Sequence, residues 1–331
     1  YGTCLESKRE QSLRGSTPLP SAMCGRKAVF IKIFMTKKIS YAFVIAAALL
    51  WGSTPAVAKL LLTDLNSLQV LFFNNFFALL GLFIAVLFRG QLVVVRSYAK
   101  NDYIVFAAMG FLGTFLYNLF LISALEALPA QEAFLINYLW PVLAVIFAAI
   151  ILREKINPRK TVGLLSSFIG VAIVVTQGNF LALHFESVAG VLFAVAGAVT
   201  FGLFSVLGKR YDREQFSGMM FYYLFGTLYS LLAVILFSNF SLPSASQLFG
   251  LIWLGAFTSG LAFVFWFLAL KYGDTAKMSN MIFLTPFVSL VYIHFLVGEK
   301  ILISSIIGLV VIIIGIFIQS TKNSLSSQQK T

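Results

Sequence analysis

The sequence predicts an all-α integral membrane protein with ten transmembrane helices, arranged as two inverted five-helix repeats. Three observations support this fold class. Of the 331 residues, 60% are hydrophobic and only 11% are charged, and the mean hydropathy is +0.93. The apolar residues lie in ten runs that are long enough to cross a bilayer. The second half of the chain also repeats the first at a nearly constant offset.

This composition excludes several broad classes of protein. About 25% of the residues of a soluble domain are charged, and even a large domain leaves part of its chain exposed to water. The chain is therefore neither a soluble globular protein nor a disordered one. Its formal charge of +12 follows membrane topology, so no nucleic-acid partner is expected. The two cysteines, Cys4 and Cys24, precede the first apolar run, so no disulfide joins the main body.

Residues 1–34 form a polar tail that we expect to lie outside the fold. The tail contains no long apolar run followed by a small-residue cleavage site, so it does not resemble a signal peptide. Met35 directly precedes two lysines and the first apolar run, which favours Met35 as the native start. The alternative is a basic tail that binds the anionic inner leaflet. We expect residues 321–331 to form a short cytoplasmic tail.

Ten apolar runs predict ten spans, because a helix needs about 20 residues to cross the hydrocarbon core. The predicted spans are 40–62, 67–88, 102–125, 130–152, 159–177, 187–208, 216–238, 247–271, 276–297 and 301–319. The connections are short and leave no room for a soluble domain. Spans three and four are separated by little more than Glu126 to Pro129, so we expect them to be antiparallel neighbours.

The basic residues strongly favour one side of the membrane. From Met35 onward, sixteen Lys and Arg residues fall on one side of the predicted topology, and only Lys59 and Lys300 fall on the other. Since cytoplasmic loops carry an excess of Lys and Arg, we expect both termini in the cytoplasm.

An internal repeat divides the chain into two units of five spans, 35–178 and 179–320. At an offset of 145 residues, the aligned positions are Gly110 and Gly255, Leu139-x-Pro141 and Leu284-x-Pro286, Glu154-Lys155 and Glu299-Lys300, Gly163 and Gly308, and Gly170 and Gly315. Near the start the offset is 150, which aligns Lys59 with Lys209. Since five is odd, the second unit enters the membrane from the opposite side. Inverted repeats are typical of secondary transporters, which bind substrate near the midplane. Duplication without carrier transport, as in some channels, is the alternative.

Three prolines predict interruptions within the spans. A proline removes one backbone hydrogen bond and frees the carbonyl four residues earlier. Pro55 lies in span one, Pro141 in the middle of span four and Pro286 in the middle of span nine. Irregular backbone at membrane depth is tolerated where it is buried or lines a cavity. These positions therefore indicate the transport pathway, with a simple packing kink as the alternative for each.

Uncharged polar and aromatic residues near these prolines predict a substrate site. The predicted substrate-binding residues are Trp51, Ser53, Asn74, Asn118, Asn137, Tyr138, Trp140, Pro141, Asn280 and Pro286. Further candidates nearby are Asn75, Tyr117, Phe204, Ser205, Tyr222, Trp266 and Thr285. Amides in hydrocarbon are costly unless hydrogen-bonded, so they should face protein or water. Such a set suits a small zwitterionic or aromatic solute. Interhelical hydrogen bonding and interfacial aromatic belts are the alternative roles.

Two ionisable residues are candidates for gating. Glu132 lies in the first turn of span four, where the helix dipole also stabilises a carboxylate. His294 lies near the outer end of span nine and could titrate, although a structural role is the alternative. No Asp or Glu lies at mid-bilayer, and intramembrane ionisable residues are the usual mark of proton coupling. Passive facilitated efflux without a cofactor or metal is therefore expected.

Small residues on spans five and ten predict close helix packing. They are Gly163, Ser167, Gly170, Gly308 and Gly315. We interpret them as scaffold, or as the contact of a homodimer, and not as substrate ligands.

Other functional classes fit the sequence less well. A membrane metalloprotease would need His-Glu-x-x-His spacing, which is absent from a chain with two histidines. A channel, a drug-efflux carrier and a membrane sensor or scaffold remain as alternatives. A channel would conduct without saturation, and a sensor would bind a solute without moving it.

The motifs of the two halves resemble the drug/metabolite transporter superfamily, and within it the EamA family. The resemblance covers about residues 35–319. It rests on Trp51-Gly52-Ser53 and on the two proline-containing spans, each followed by a glutamate (Glu154 or Glu299) and two glycines. It implies an inner-membrane carrier of ten helices with a central cavity, working by alternating access.

One string within span four has a narrower resemblance. Asn137-Tyr138-Leu139-Trp140-Pro141 is similar to the corresponding helix of the bacterial aromatic amino acid exporter of this superfamily. That similarity implies efflux of aromatic and other neutral amino acids. Small multidrug-resistance members rely on a glutamate in span one, and span one of this chain has none, which argues against their cation/proton antiport.

Overall fold

A computed structural model describes residues 39–54, 56–57, 65–128, 130–183, 185, 187–238, 240–298 and 301–320. Several predictions fall outside the described residues. They concern the tails 1–34 and 321–331, Pro55, Lys59 and the Glu299-Lys300 pair.

Across these described ranges the chain is helical and contains no strand. The apolar helices are α1 (Ile39–Thr54), α2 (Ser67–Phe88), α3 (Lys100–Ala124), α4 (Glu132–Ile151), α5 (Pro158–Val175), α6 (Val188–Arg210), α7 (Gln215–Phe237), α8 (Gln247–Tyr272), α9 (Thr275–Leu296) and α10 (Ile303–Gln319). Eight are long and apolar enough to cross a membrane, while α1 and α10 are shorter apolar helices. The prediction of an all-α protein with many membrane-spanning helices is therefore confirmed.

Polar side chains cap the starts of several helices. The Asn66 side chain accepts from the backbone N–H of Leu68 before α2. Before α5, the Asn157 side chain accepts from the backbone N–H of Lys160. Asn157 is followed by Pro158, and proline is favoured in the first turn of a helix. These caps satisfy N–H groups that the helix itself leaves unpaired, so they determine where the helices begin.

α4 and α9 are each interrupted near the middle. The regular helix Ala130–Asn137 stops, and a second segment begins at Trp140 with Pro141 in its first turn. In α9 the corresponding segments are Thr275–Ile282 and Thr285–Val297, with Pro286 in the first turn of the second. The interruptions predicted at Pro141 and Pro286 are thus confirmed. The first segments end at Asn137 and Ile282, and the second segments begin at Trp140 and Thr285. In both cases the equivalent residues are 145 positions apart.

α3 and α8 each contain a stretch of π-helix that was not predicted. The stretches are Gly110–Leu116 and Trp253–Leu261, and their last residues are again 145 apart. Neither stretch contains a proline, so the sequence carried no local signal for them. π-helical turns often mark functional sites, and the two halves therefore share their irregularities as well as their helices.

The helix ends define two sides of the molecule. The side where α2, α4, α6 and α8 end and where α3, α5, α7 and α9 begin is called here the basic side. Ion pairs and one cation–π contact join these ends, for example Arg213 before α7 with Asp102 in α3. On the opposite side, Ser67 at the start of α2 donates to the Glu126 carboxylate beyond α3 at 2.6 Å. Successive helices therefore run in opposite directions.

α5 and α10 pack against each other through their small residues. A Cβ atom on Gly170 would lie 2.7 Å from the carbonyl oxygen of Gly308, and one on Gly315 would lie 2.5 Å from that of Gly163. The Ser167 hydroxyl is buried in the same contact. Close approach of the two backbones requires these residues, so the predicted scaffold role is filled by a contact within one chain.

Candidate substrate-binding site

Trp51 lies at the centre of a group of aromatic rings from five helices. This aromatic cluster consists of Trp51, Tyr117, Trp140, Phe201, Phe263 and Trp266. The Trp51 ring centroid lies 6.2 Å from that of Trp140 and 6.1 Å from that of Trp266. Trp140 and Phe201 meet edge to face at 4.6 Å and 86°, a geometry that the ring quadrupoles favour. The structure thus brings together two predicted site residues, Trp51 and Trp140.

The aromatic cluster is enclosed by protein. Trp140 is 4% exposed, Phe201 2% and Trp266 0%. The indole N–H of Trp266 donates to the Ser205 hydroxyl at 3.0 Å. That bond satisfies the polar atom of a fully buried ring and sets the orientation of the ring. Trp266 in turn lies 5.2 Å from Trp140, so the bond also supports the site residue beside it.

Asn137 places an amide beside the aromatic cluster, at the point where α4 is interrupted. Its side chain is 5% exposed, and its amide nitrogen donates to the Tyr117 hydroxyl at 3.4 Å. Within the described part of the chain, no group donates to the amide oxygen. A buried acceptor without a partner costs about 1–3 kcal/mol. Asn137 therefore offers an acceptor that a ligand with an N–H or O–H group would satisfy.

Ser53 and Asn74 connect helices. The Ser53 hydroxyl accepts from the indole N–H of Trp253 at 3.0 Å, which joins α1 to α8. The Asn74 amide oxygen accepts from the Ser259 hydroxyl at 3.0 Å, which joins α2 to the π-helical stretch of α8. In this conformation both side chains act as interhelical links, the alternative role considered for them. Their contribution to substrate binding stays a prediction.

Asn118 and Asn280 also have partners within the protein. The Asn118 amide donates to the carbonyl of Thr114 in its own helix at 2.9 Å. Asn280 is fully buried, and its amide donates to Gly315 at 3.2 Å and to the Gln319 side chain at 2.9 Å. Asn280 therefore joins α9 to α10, away from the aromatic cluster.

Asn75 shows most clearly how an amide can serve as structural support. Its side chain is fully buried, and its nitrogen donates to the carbonyls of Thr114 and Gly226 at 3.2 and 3.3 Å. A third contact reaches the Ser230 hydroxyl at 3.4 Å. One side chain thus joins α2, α3 and α7.

The two prolines and Tyr138 shape the interruptions. Pro141 and Pro286 are both buried. Tyr138 packs on a second apolar core, formed by α4, α5, α9 and α10, which also contains Phe283 from the interruption of α9. Tyr138 thus faces a different core from Trp140, although the two residues are nearly adjacent in the chain.

The two predicted gating residues have different surroundings. Glu132 is 2% exposed and accepts from the backbone N–H of Phe185 at 3.1 Å. It therefore holds the connection before α6 against the start of α4, on the side opposite the basic side. His294 is exposed, and its ring lies 5.1 Å from that of Phe295. Neither contact tests a gating role, which stays a prediction for both.

Phe201 and Phe263 belong to the aromatic cluster but were not predicted. The chain contains 35 phenylalanines, and nothing in the local sequence distinguishes these two from those that face lipid. Tyr117, Ser205 and Trp266 were further candidates, and the structure places all three in or beside the cluster. Knowledge of helix packing was required to find the two phenylalanines.

Comparisons with known proteins agree with this architecture. The model of the EamA-like transporter family matches residues 38–176 and again residues 188–321. A protein of known crystal structure superposes with a TM-score of 0.77 at 24% identity, covering 86% of this chain and 98% of the other. That likeness concerns the fold alone.

Two curated relatives are informative. An uncharacterized transporter of Bacillus subtilis, YyaM, is 28% identical over 235 residues, which cover 69% of this chain and 76% of that protein. The aromatic amino acid exporter YddG of Ancylobacter novellus is 32% identical over 179 residues, which cover 54% of this chain and 62% of that protein. Because the family model matches most of the chain in two segments, this multi-pass membrane protein belongs to the EamA-like transporter family.

Proposed function

We propose that this protein is a secondary transporter that exports small organic metabolites by alternating access. Neutral and aromatic amino acids are the best-supported substrates. The observation that carries the proposal is the enclosed aromatic cluster beside the interruption of α4, where the Asn137 amide oxygen lacks a partner among the described residues. A relative named as an aromatic amino acid exporter gives further support.

The proposed architecture is ten transmembrane helices in two inverted repeats, 35–178 and 179–320. Support comes from the double match to one family model and from the interruptions and π-helical stretches that recur after 145 residues. α4 ends at the basic side, whereas its counterpart α9 begins there. Two such units can exchange conformations, which gives two states of similar energy that open to opposite sides.

The chemistry of the site suits an amino acid. Aromatic faces attract a cationic ammonium group and also stack on an aromatic side chain. The Asn137 oxygen can accept a hydrogen bond from the ammonium, and the interrupted backbone of α4 supplies further polar groups. The cluster contains no carboxylate, so it favours a zwitterion with little net charge over a free cation.

The proposed cycle needs only the motion of helices. Substrate enters from the cytoplasm, contacts Trp51 and Trp140, and bonds to Asn137. The two repeats then rock, so that the inner mouth closes and the outer mouth opens. The proposed orientation places the basic side and both termini in the cytoplasm of a bacterium, because cytoplasmic loops are enriched in Lys and Arg. No enzymatic activity is proposed.

Counterflow in proteoliposomes tests this function. Vesicles are loaded with unlabelled phenylalanine, and uptake of labelled phenylalanine is followed. A saturable transient overshoot is expected, and Trp140→Ala and Asn137→Ala should each abolish it without preventing folding. A matched control is Phe237→Ala, because the Phe237 ring is 77% exposed at the end of α7 and does not belong to the aromatic cluster.

Each outcome has a distinct meaning. An overshoot that both site variants retain would refute the assigned site. Absence of an overshoot in the folded parent would refute phenylalanine as substrate, and a panel of drugs and other metabolites would then separate a different efflux carrier from a non-transporting sensor. Conductance without saturation would indicate a channel.

A further inference from the structure

A cluster of charged and polar groups joins the two broken helices at the basic side. Glu154 follows α4, Lys209 lies in the last turn of α6, and Thr275 begins α9. The Lys209 ammonium lies 2.7 Å from the Glu154 carboxylate and also donates to the Gly273 carbonyl at 3.0 Å. Glu154, Lys209 and Thr275 are called here the clamp.

Thr275 is bound by the same carboxylate through two groups. Its hydroxyl donates to Glu154 at 2.8 Å and its backbone N–H donates to the other carboxylate oxygen at 3.2 Å. Lys209 also reaches the Thr275 hydroxyl at 3.1 Å. Bonds that involve a charged partner are stronger than neutral ones. The clamp therefore fastens the end of the first repeat to the second repeat through several coupled bonds.

The backbone beside the clamp is strained. Arg153 has a φ of 54°, in the left-handed region that non-glycine residues rarely adopt. This turn lets the backbone N–H of Glu154 return to the Ala148 carbonyl at 3.2 Å, so the carboxylate is directed back toward α9. Strain of this kind costs about 1–3 kcal/mol and persists where the surroundings require it.

Apolar residues of α4 and α9 lie between the clamp and the aromatic cluster. Ala144 and Ala148 lie one and two turns beyond Trp140 on the same face of α4, and they are 0% and 1% exposed. Met278 and Ile282 of α9 are each 1% exposed. The path from the aromatic cluster to the basic side is therefore closed by apolar packing, with the clamp beyond it.

We propose that the clamp is the gate of the basic side, and that it must open for substrate to reach the aromatic cluster from that side. This inference rests on the alternating access proposed above. The clamp joins helices of the two repeats, which have to separate when this side opens. The Lys209 and Glu154 side chains are also 17% and 23% exposed, so water can replace their bonds when the helices part, unlike those of a fully buried pair.

A cysteine reporter tests the gate directly. In a background with Cys4→Ser and Cys24→Ser, Ala148→Cys places a small thiol in the closed apolar segment. Its rate of modification by a small charged methanethiosulfonate reagent measures opening in the purified protein in lipid nanodiscs. Glu154→Gln and Lys209→Met should each raise this rate about tenfold, which corresponds to about 1.4 kcal/mol. Both changes remove the ion pair between Lys209 and Glu154, so the double variant should raise the rate by clearly less than the product of the two single effects.

Asp212→Asn is the matched control. Asp212 pairs with Lys271 at 2.6 Å on the same side, but both residues belong to the second repeat. Its removal should leave the modification rate within about twofold of the parent, as expected for an exposed ion pair. Variants are compared only where their size-exclusion profiles and circular dichroism spectra match those of the parent. Glu154→Asp is a second, milder change, and its modification rate should lie between those of the parent and Glu154→Gln.

The outcomes separate the gate from the transport function. Unchanged rates in folded Glu154→Gln and Lys209→Met, or a parent reporter that already reacts at the rate of an exposed thiol, would overturn the gate. Counterflow in the parent would then still stand. A tenfold increase in rate without counterflow of phenylalanine would support the gate and refute only the proposed substrate.

Discussion

The hydrogen bond between Trp266 and Ser205 predicts a defined pattern of stabilities. Both side chains are 0% exposed, and their polar atoms lie 3.0 Å apart. Trp266→Phe removes the donor and leaves a buried hydroxyl, which costs about 1–3 kcal/mol. The smaller ring leaves a cavity that adds about 1 kcal/mol. Ser205→Ala leaves the indole N–H without a partner and costs about 1–3 kcal/mol.

The double variant distinguishes a real bond from mere proximity. With both polar atoms gone, the penalty of an unsatisfied group disappears, so the double variant should cost at least about 1 kcal/mol less than the sum of the single variants. Unfolding in mixed detergent–SDS micelles, followed by far-UV circular dichroism, gives the three free energies. Because Trp266 supports Trp140, the single variants should also weaken substrate binding in counterflow. Additive free energies would refute the argument that this bond orients the indole.

Other substitutions test the helix contacts and the side opposite the basic side. Gly315→Ala should destabilise the protein by about 1–3 kcal/mol through overpacking, because its Cβ would lie 2.5 Å from a carbonyl oxygen. At Gly197, within α6, the nearest atom would lie 3.6 Å away. Gly197→Ala should therefore not destabilise the protein, and the higher helix propensity of alanine should raise the unfolding free energy by up to about 1 kcal/mol. Asn75→Ala should cost about 1–3 kcal/mol in the same unfolding assay, since three groups lose a donor, but leave counterflow of the folded fraction intact. Glu132→Ala should speed amide hydrogen exchange at Phe185, whose N–H it accepts; unchanged exchange would show that the contact does not restrain this connection.

The helices and their two interruptions could be predicted from the sequence because their causes are local. Apolar runs of bilayer length identify helices without any tertiary information, and a proline interrupts a helix wherever it lies. Both interruptions, near Pro141 and Pro286, therefore occur where they were expected. The π-helical stretches contain no proline, so the local sequence gives no such signal for them.

The site could be predicted only in part, because the role of a residue depends on what its side chain meets. Asn75 and Asn137 carry the same amide in apolar helices, yet the nitrogen of Asn75 joins three helices, whereas that of Asn137 donates to the Tyr117 hydroxyl beside the aromatic cluster. Glu154 was noticed as part of a repeated motif, but its partner Lys209 lies 55 residues further along the chain. Its role in the clamp could be inferred only once α4, α6 and α9 had been placed together.

The proposed repeat supplies the frame for motion, but the side chains at the two interruptions differ. At the offset of 145 residues, Asn137 corresponds to Ile282 and Trp140 to Thr285. The interruption of α9 thus repeats the backbone of α4 with isoleucine and threonine in place of the amide and the indole. In the proposed site, the interruption of α4 is therefore the one that offers an amide and an indole beside the aromatic cluster, which suits an amino acid with a charged end and an apolar side chain. Two equivalent half-sites would instead favour a symmetric or doubly charged solute. The asymmetry between α4 and α9 is consequently a physical reason to test neutral amino acids before other metabolites.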